Sequence, residues 1–201
     1  MGFTSPKLDI ALAAFDDANA VDPRTTFVDG QAVPDELLYA RRMTDRLMRF
    51  APDASEPLQL AARCQHLCRW MIPRETYPMD RRGYHQWRTI LANFHADKAG
   101  EILRRVGYDE ETIARVQSLV RKERFKTDPD AQTLEDVICL VFLEYQFAEF
   151  ASEHDEEKVI GILRKTWSKM SDRGRAEAMR LVLTTDAGAL VRKAIEREGT
   201  I

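Results

Sequence analysis

The 201 residues carry 30 lysines and arginines against 33 acids, a formal net charge of −3, which argues against a generic nucleic-acid coat. At 44% hydrophobic and 31% charged, the composition is that of an ordinary globular chain. No apolar run approaches the roughly 20 residues needed to cross a bilayer, and the longest, Val137 to Leu143, falls far short.

The N-terminus lacks a signal-peptide core, and Pro6 stands where a myristoylation motif after Gly2 requires Ser or Thr, so a cytoplasmic protein is expected. The first helix is expected after Ser5-Pro6, a cap and N1 proline, and runs to about Asn19 with Leu8, Ala11, Leu12 and Phe15 on its apolar face. A polar loop through Asp22-Pro23 and Gly30 leads to Pro34, read as the N1 proline of a second helix. Ser55-Glu56-Pro57 opens a third helix expected to continue through Trp70 until Pro73 stops it. Cys64 and Cys68 lie four apart on it. With Cys139 they make an odd number in apolar surroundings, which suggests free buried thiols in a reducing compartment. No second Cys or His pair at zinc spacing accompanies them.

Ile72 to Gly83 reads as a loop, and Tyr84 to Val106 as a long helix closed by a left-handed cap at Gly107. Asp109 caps the next helix. Asp128-Pro129 reads as a turn, and Leu134 to Phe150 as a helix apolar on nearly all sides, hence buried. Further helices follow Asp155, with Ser171 and Thr185-Asp186 as caps. The period is helical almost throughout, and no linker rich in Gly, Ser or Pro appears. The expected fold is therefore all-α, a single-domain helical bundle over 1–201.

Polar residues inside these apolar helices are the candidate site. They are Gln65-His66, His95 and Glu135-Asp136, and burying such groups costs several kcal/mol without a partner. Imidazole and carboxylate are the usual ligands of Zn, Fe or Mn. One reading therefore converges His66, His95 and Asp136 on a divalent metal. A metal-free polar network is the second reading. A third gives them unrelated roles, Glu135 and Asp136 complementing a helix N-terminus as first-turn acids.

Around the loop, Arg63, Arg69, Arg74, Arg81, Arg82 and Arg88 interleave with Trp70, Tyr77, Tyr84 and Trp87. Guanidinium forks suit phosphate or carboxylate. Arg63, His66 and Arg69, at spacings of three, share one helix side, and an anion-binding rim beside the polar pocket is expected. The competing reading is an Arg-rich loop tied down by acids. His85 reads as a loop-edge residue, and Lys122 to Lys126 as a basic run ending a helix. In the last helices Leu181, Val182, Leu190, Val191 and Ile195 offer a homodimer contact, with core packing as the competing role.

Glu36-Leu-Leu-Tyr-Ala-Arg-Arg-Met43, Leu60-Ala-Ala-Arg-Cys-Gln-His-Leu-Cys-Arg-Trp70, Ile72-Pro-Arg74, Gly83-Tyr84, Trp87-Arg88 and Leu134-Glu-Asp136 through Val141-Phe-Leu-Glu144 resemble domain of unknown function 4202, from about Asp9 to Ser171. The layout also looks like a distant relative of the HD-domain metal-dependent phosphohydrolases. Tyr39 stands in place of the first His of that superfamily, and Gln65-His66 in place of its His-Asp pair. Phe94-His95 resembles its extra-His helix, and Leu134-Glu-Asp136 the helix carrying its final Asp. The alternative register makes His66 the first member of the pair, with Leu67 replacing its Asp.

That resemblance implies an HD-like core at 31–150, between an N-terminal helix and loop (1–30) and C-terminal helices (151–201). It also implies hydrolysis of a nucleotide or other small phosphorylated metabolite. His66, His95 and Asp136 would then hold Mn, Fe, Zn or Mg, Gln65 or Glu135 would orient water, and the arginines with Trp70 and Tyr39 would line the ligand site. The alternative is a degenerate module that binds an anionic ligand or a protein partner in a regulatory role.

Overall fold

The computed structural model describes residues 5–125 and 127–181, so Gly2, Val182, Thr185-Asp186, Leu190, Val191 and Ile195 lie outside the described residues. The chain divides into two compact units, Met1–Arg124 and Phe125–Ile201. The fold is mostly helical, with one small two-stranded sheet.

In the first unit, helix α1 spans Pro6–Asn19. Ser5 caps it, its Oγ accepting the Leu8 N–H at 3.1 Å, and Leu8, Ala11 and Phe15 are buried on one face. The segment expected to be a loop is a hairpin instead, β1 (Thr25–Val28) and β2 (Gln31–Pro34), antiparallel with Val28 opposite Gln31 and Thr25 opposite Pro34. Its turn is Asp29-Gly30, both at positive φ (49° and 79°), a two-residue connection whose twist matches paired strands. Helix α2 (Asp35–Phe50) follows, with Pro34 at its cap rather than inside its first turn.

Helix α3 is shorter than expected and covers only Glu56–Arg63. Neither Gly nor Pro ends it. Cys68 takes a left-handed conformation at φ 54°, and its N–H is received by Asn19 Oδ1 at 2.9 Å. A non-glycine residue there costs about 1 kcal/mol or more. A buried tertiary hydrogen bond from α1 therefore overrides the local helical pattern. Arg63, His66 and Arg69 consequently do not share a helix side, and neither do Cys64 and Cys68. Short 3-10 turns at Arg69–Met71 and Arg74–Thr76 complete the connection. Helix α4 (Arg81–Val106) starts earlier than expected because Asp80 Oδ1 accepts the Gly83 N–H at 2.7 Å, and Gly107, at φ 92°, closes it as expected. Helix α5 (Glu110–Val120) is capped by Asp109, and beyond it Lys122 and Arg124 have positive φ (60° and 56°).

In the second unit, helix α6 runs Pro129–Tyr145 from an Asp128 cap, so Asp128-Pro129 starts the helix rather than standing apart from it. Helices α7 (Phe147–Ser152), α8 (Glu156–Lys169) and α9 (Asp172–Ala178) follow, the last capped by Ser171. Leu134, Val137, Cys139, Leu140, Val141 and Leu143 are buried on α6. No described helix is long and apolar enough to cross a membrane.

Candidate functional site

Asn19 organises the site by bridging three segments. Its Nδ2 donates to the Glu36 carbonyl at 3.3 Å while its Oδ1 holds the Cys68 N–H. Asp22 Oδ2 accepts the Glu36 N–H at 3.1 Å, and Arg24 Nη2 reaches Glu36 Oε1 at 3.2 Å. These bonds fix the turn between α3 and the first 3-10 segment, which carries Gln65, His66 and Leu67.

His66 packs in this turn with its ring stacked on Tyr39, centroids 4.0 Å apart and planes 11° off parallel. Its Nδ1 is 3.3 Å from Glu36 Oε2, and Arg69 Nη1 lies 3.0 Å from its Nε2. Desolvation, aided by the Arg69 charge, holds its pKa well below the usual imidazole range. The same Nη1 lies 3.2 Å from Nδ1, so the guanidinium reaches both nitrogens of the neutral ring. Desolvation raises Glu36 to about 7, against the opposing charges of Arg69 and Arg24.

His95 comes from the middle of α4. Its Nδ1 is 2.8 Å from the Leu67 carbonyl, which can only accept, so Nδ1 carries the proton and Nε2 is the unprotonated nitrogen. Burial lowers its pKa to about 4, so it is neutral near pH 7. The rings of His66 and His95 are 6.0 Å apart.

These groups line a cleft of about 310 Å³, near the lower end of small-molecule sites. Buried Gln65 and His95 form its floor with Leu91, and His85, Thr89 and Asn93 stand exposed at its rim. Every fixed charge lining it is basic: Arg88, Arg121 and Lys122. Arg121 is tied to Asp97 at 2.7 Å. Arg88 has no ion pair or hydrogen bond to protein among the described residues. The Gln65 Nε2 is enclosed and without a hydrogen-bond partner among the described residues.

Several of these residues escape a reading of loops and runs. His85, Arg88, Ala92 and His95 fall on one stripe of α4 at helical spacing, with Thr89 and Asn93 beside it. That stripe is visible in the sequence, because the helix expected from Tyr84 already contains all four positions. Lys122 joins it through the left-handed turn after α5, which no local pattern announces.

The other expected site residues are dispersed. Arg63 makes a two-bond fork to Asp16 at 2.8 and 2.9 Å, which ties α3 to α1. Arg74 donates to the carbonyls of Tyr77 and Pro78 at 3.0 and 2.8 Å, and so serves the loop itself. Arg69, Arg74 and Trp70 share a second cleft of about 290 Å³ with Arg24, Glu75 and Trp87. Its arginines are already engaged, Arg69 lying 5.1 Å over the Trp87 ring. Arg81 and Arg82 are exposed in the first turn of α4, outside both clefts.

Glu135 and Asp136 belong to the second unit and sit in the second turn of α6, not the first, because the helix begins at Pro129. Asp136 accepts the Ser171 N–H at 2.8 Å and the Ser171 hydroxyl at 2.5 Å, and Gln132 Nε2 at 3.2 Å. Glu135 pairs with Lys169 at 3.4 Å. Among the described residues, no group of three His, Cys, Asp or Glu is placed to hold a metal ion. Within the first unit's cleft, three imidazoles stand among cations and amides with no carboxylate, a lining that does not fit a divalent ion.

A family model matches residues 9–191. The chain belongs to the family described as domain of unknown function 4202. No curated protein and no solved structure matches it. Membership thus accounts for nearly the whole described chain and both units, while the likeness to HD-domain phosphohydrolases stands on the residue layout alone.

Proposed function

We propose that this family member binds the phosphate, or a comparable anionic group, of a small metabolite in the cleft of its first unit. The supporting observation is the lining: Arg88, Arg121 and Lys122 with three imidazoles and no carboxylate. Such a surface attracts anions, and its low-dielectric floor strengthens the attraction. Arg88 lacks a protein counter-ion among the described residues, so a bound anion satisfies it without first breaking an ion pair.

This is the ligand-binding alternative of the sequence reading, and it is preferred to the metal-dependent phosphohydrolase because the cleft's lining holds cations and amides beside its imidazoles and no carboxylate. The test is a thermal shift with inorganic phosphate and simple phosphate esters, with and without chelator. Stabilisation of about 2.7 kcal/mol is expected at 100 times Kd, and it should survive chelation. Arg88→Ala should weaken binding and reduce its dependence on salt. No shift with any phosphate compound refutes the proposal, and a shift that needs Mn or Mg restores the metal enzyme.

A further inference from the structure

The cations account for an anion but leave the floor of the cleft unexplained. His95 is fixed with Nδ1–H on Leu67, so its Nε2 is an acceptor with no protein donor among the described residues. Gln65 is 6% exposed, yet its Nε2 has no partner. A half-turn about its last torsion exchanges Nε2 with Oε1 at little cost, since terminal amide torsions are broad and two-fold. The two side chains thus offer an acceptor and a donor beside Leu91, Ala92 and Val120, in a cleft whose remaining lining is polar or basic. With Nε2 turned outward, the carboxamide N–H and the His95 nitrogen are both unmatched among the described residues, and a ligand group that both donates and accepts pairs with both.

Resting on the phosphate-binding reading above, we infer that the floor of the cleft seats a hydroxyl group of the ligand, which donates to His95 Nε2 and accepts from the Gln65 carboxamide. The ligand class is therefore a small hydroxylated phosphate ester of the polyol or sugar phosphate kind, with phosphate toward Arg88 and Lys122. The volume of about 310 Å³ accommodates a molecule of that size. A neutral imidazole is required, and burial keeps His95 neutral down to about pH 4.

The experiment measures Kd for two probes of similar size, glycerol phosphate and n-propyl phosphate, by calorimetry. For the wild-type protein, glycerol phosphate should bind roughly tenfold tighter, the worth of two neutral hydrogen bonds. His95→Asn keeps an N–H for the Leu67 carbonyl but removes the acceptor. Gln65→Leu keeps the volume but removes the donor. Each should bring the ratio toward one, with thermal melts reporting whether the fold persists. Arg88→Ala should weaken both esters together and leave the ratio intact. Equal binding of the two probes to wild-type protein overturns the hydroxyl seat while leaving the phosphate site standing. Binding of neither overturns the phosphate site itself. A tenfold ratio that persists in both floor variants also overturns the inference, because the discrimination then arises elsewhere.

Discussion

Replacing Asp136 by Ala separates a structural carboxylate from a metal ligand. The side chain is 2% exposed and accepts three hydrogen bonds, from the Ser171 N–H, the Ser171 hydroxyl and Gln132 Nε2. The Ser171 hydroxyl oxygen in turn accepts the Gly174 N–H at 3.0 Å, so one carboxylate holds the cap that starts α9. Hydrogen bonds to a charged group contribute about 1.5–3 kcal/mol each. Ser171 and Gln132 are only half-buried, so water replaces part of what Ala removes. A loss of about 3 kcal/mol is expected, or roughly 6–12 °C in Tm for a chain of this size. Asp136→Asn, which still accepts at one oxygen, should lose less. Urea unfolding followed by circular dichroism measures the change, and calorimetry with phosphate should find the cleft unaffected. A loss below about 1 kcal/mol, or abolished ligand binding in a protein of unchanged stability, refutes the reasoning and returns Asp136 to the list of ligands.

Gly174→Ala should cost about 1–3 kcal/mol, because a Cβ there meets Asp136 Oδ1 at 2.5 Å. Combined with Asp136→Ala it should cost less than the sum, since the clash is gone; simple additivity in a double-mutant cycle counts against the contact. Arg63→Lys should lose about 1 kcal/mol by urea unfolding, because an ammonium cannot reproduce the two-bond fork to Asp16. His95 has a folded pKa of about 4 against an ordinary 6.5, so between those values the unfolded chain binds the extra proton. Stability should therefore fall as pH drops from 6.5 to 4, by roughly 3 kcal/mol from this group, and His95→Asn should flatten that slope. Glu36 acts in the opposite sense. Its pKa is raised from 4.5 to about 7, so the folded chain holds the extra proton and stability is lost as pH rises through that window; Glu36→Gln should remove this contribution in the same titration.

What the sequence discloses depends on how far away the deciding atom lies. Ser5, Asp109, Gly107 and Ser171 act on backbone groups within a turn of themselves, and each marks the helix end its local chemistry indicates. The hairpin signal is equally local: Asp29-Gly30, a pair suited to positive φ, stands between two short β-prone stretches, and the segment is a hairpin rather than the expected polar loop. The end of α3 was not legible, because Asn19 stops it from 49 positions away, and nothing between Cys64 and Cys68 breaks a helix. The same distance dependence governs the site. Gln65, His66 and His95 stand out in sequence because polar groups amid apolar neighbours need a reason, and all three line one cleft. Asp136 stands out by the same criterion, and the partner it meets is Ser171, 35 positions on, whose helix cap it holds. A buried polar residue thus announces only that it has a partner. Whether the partner is backbone, another side chain or a visiting molecule is decided by contacts the local pattern does not contain, and Gln65 matters most here because its Nε2 finds no partner among the described residues.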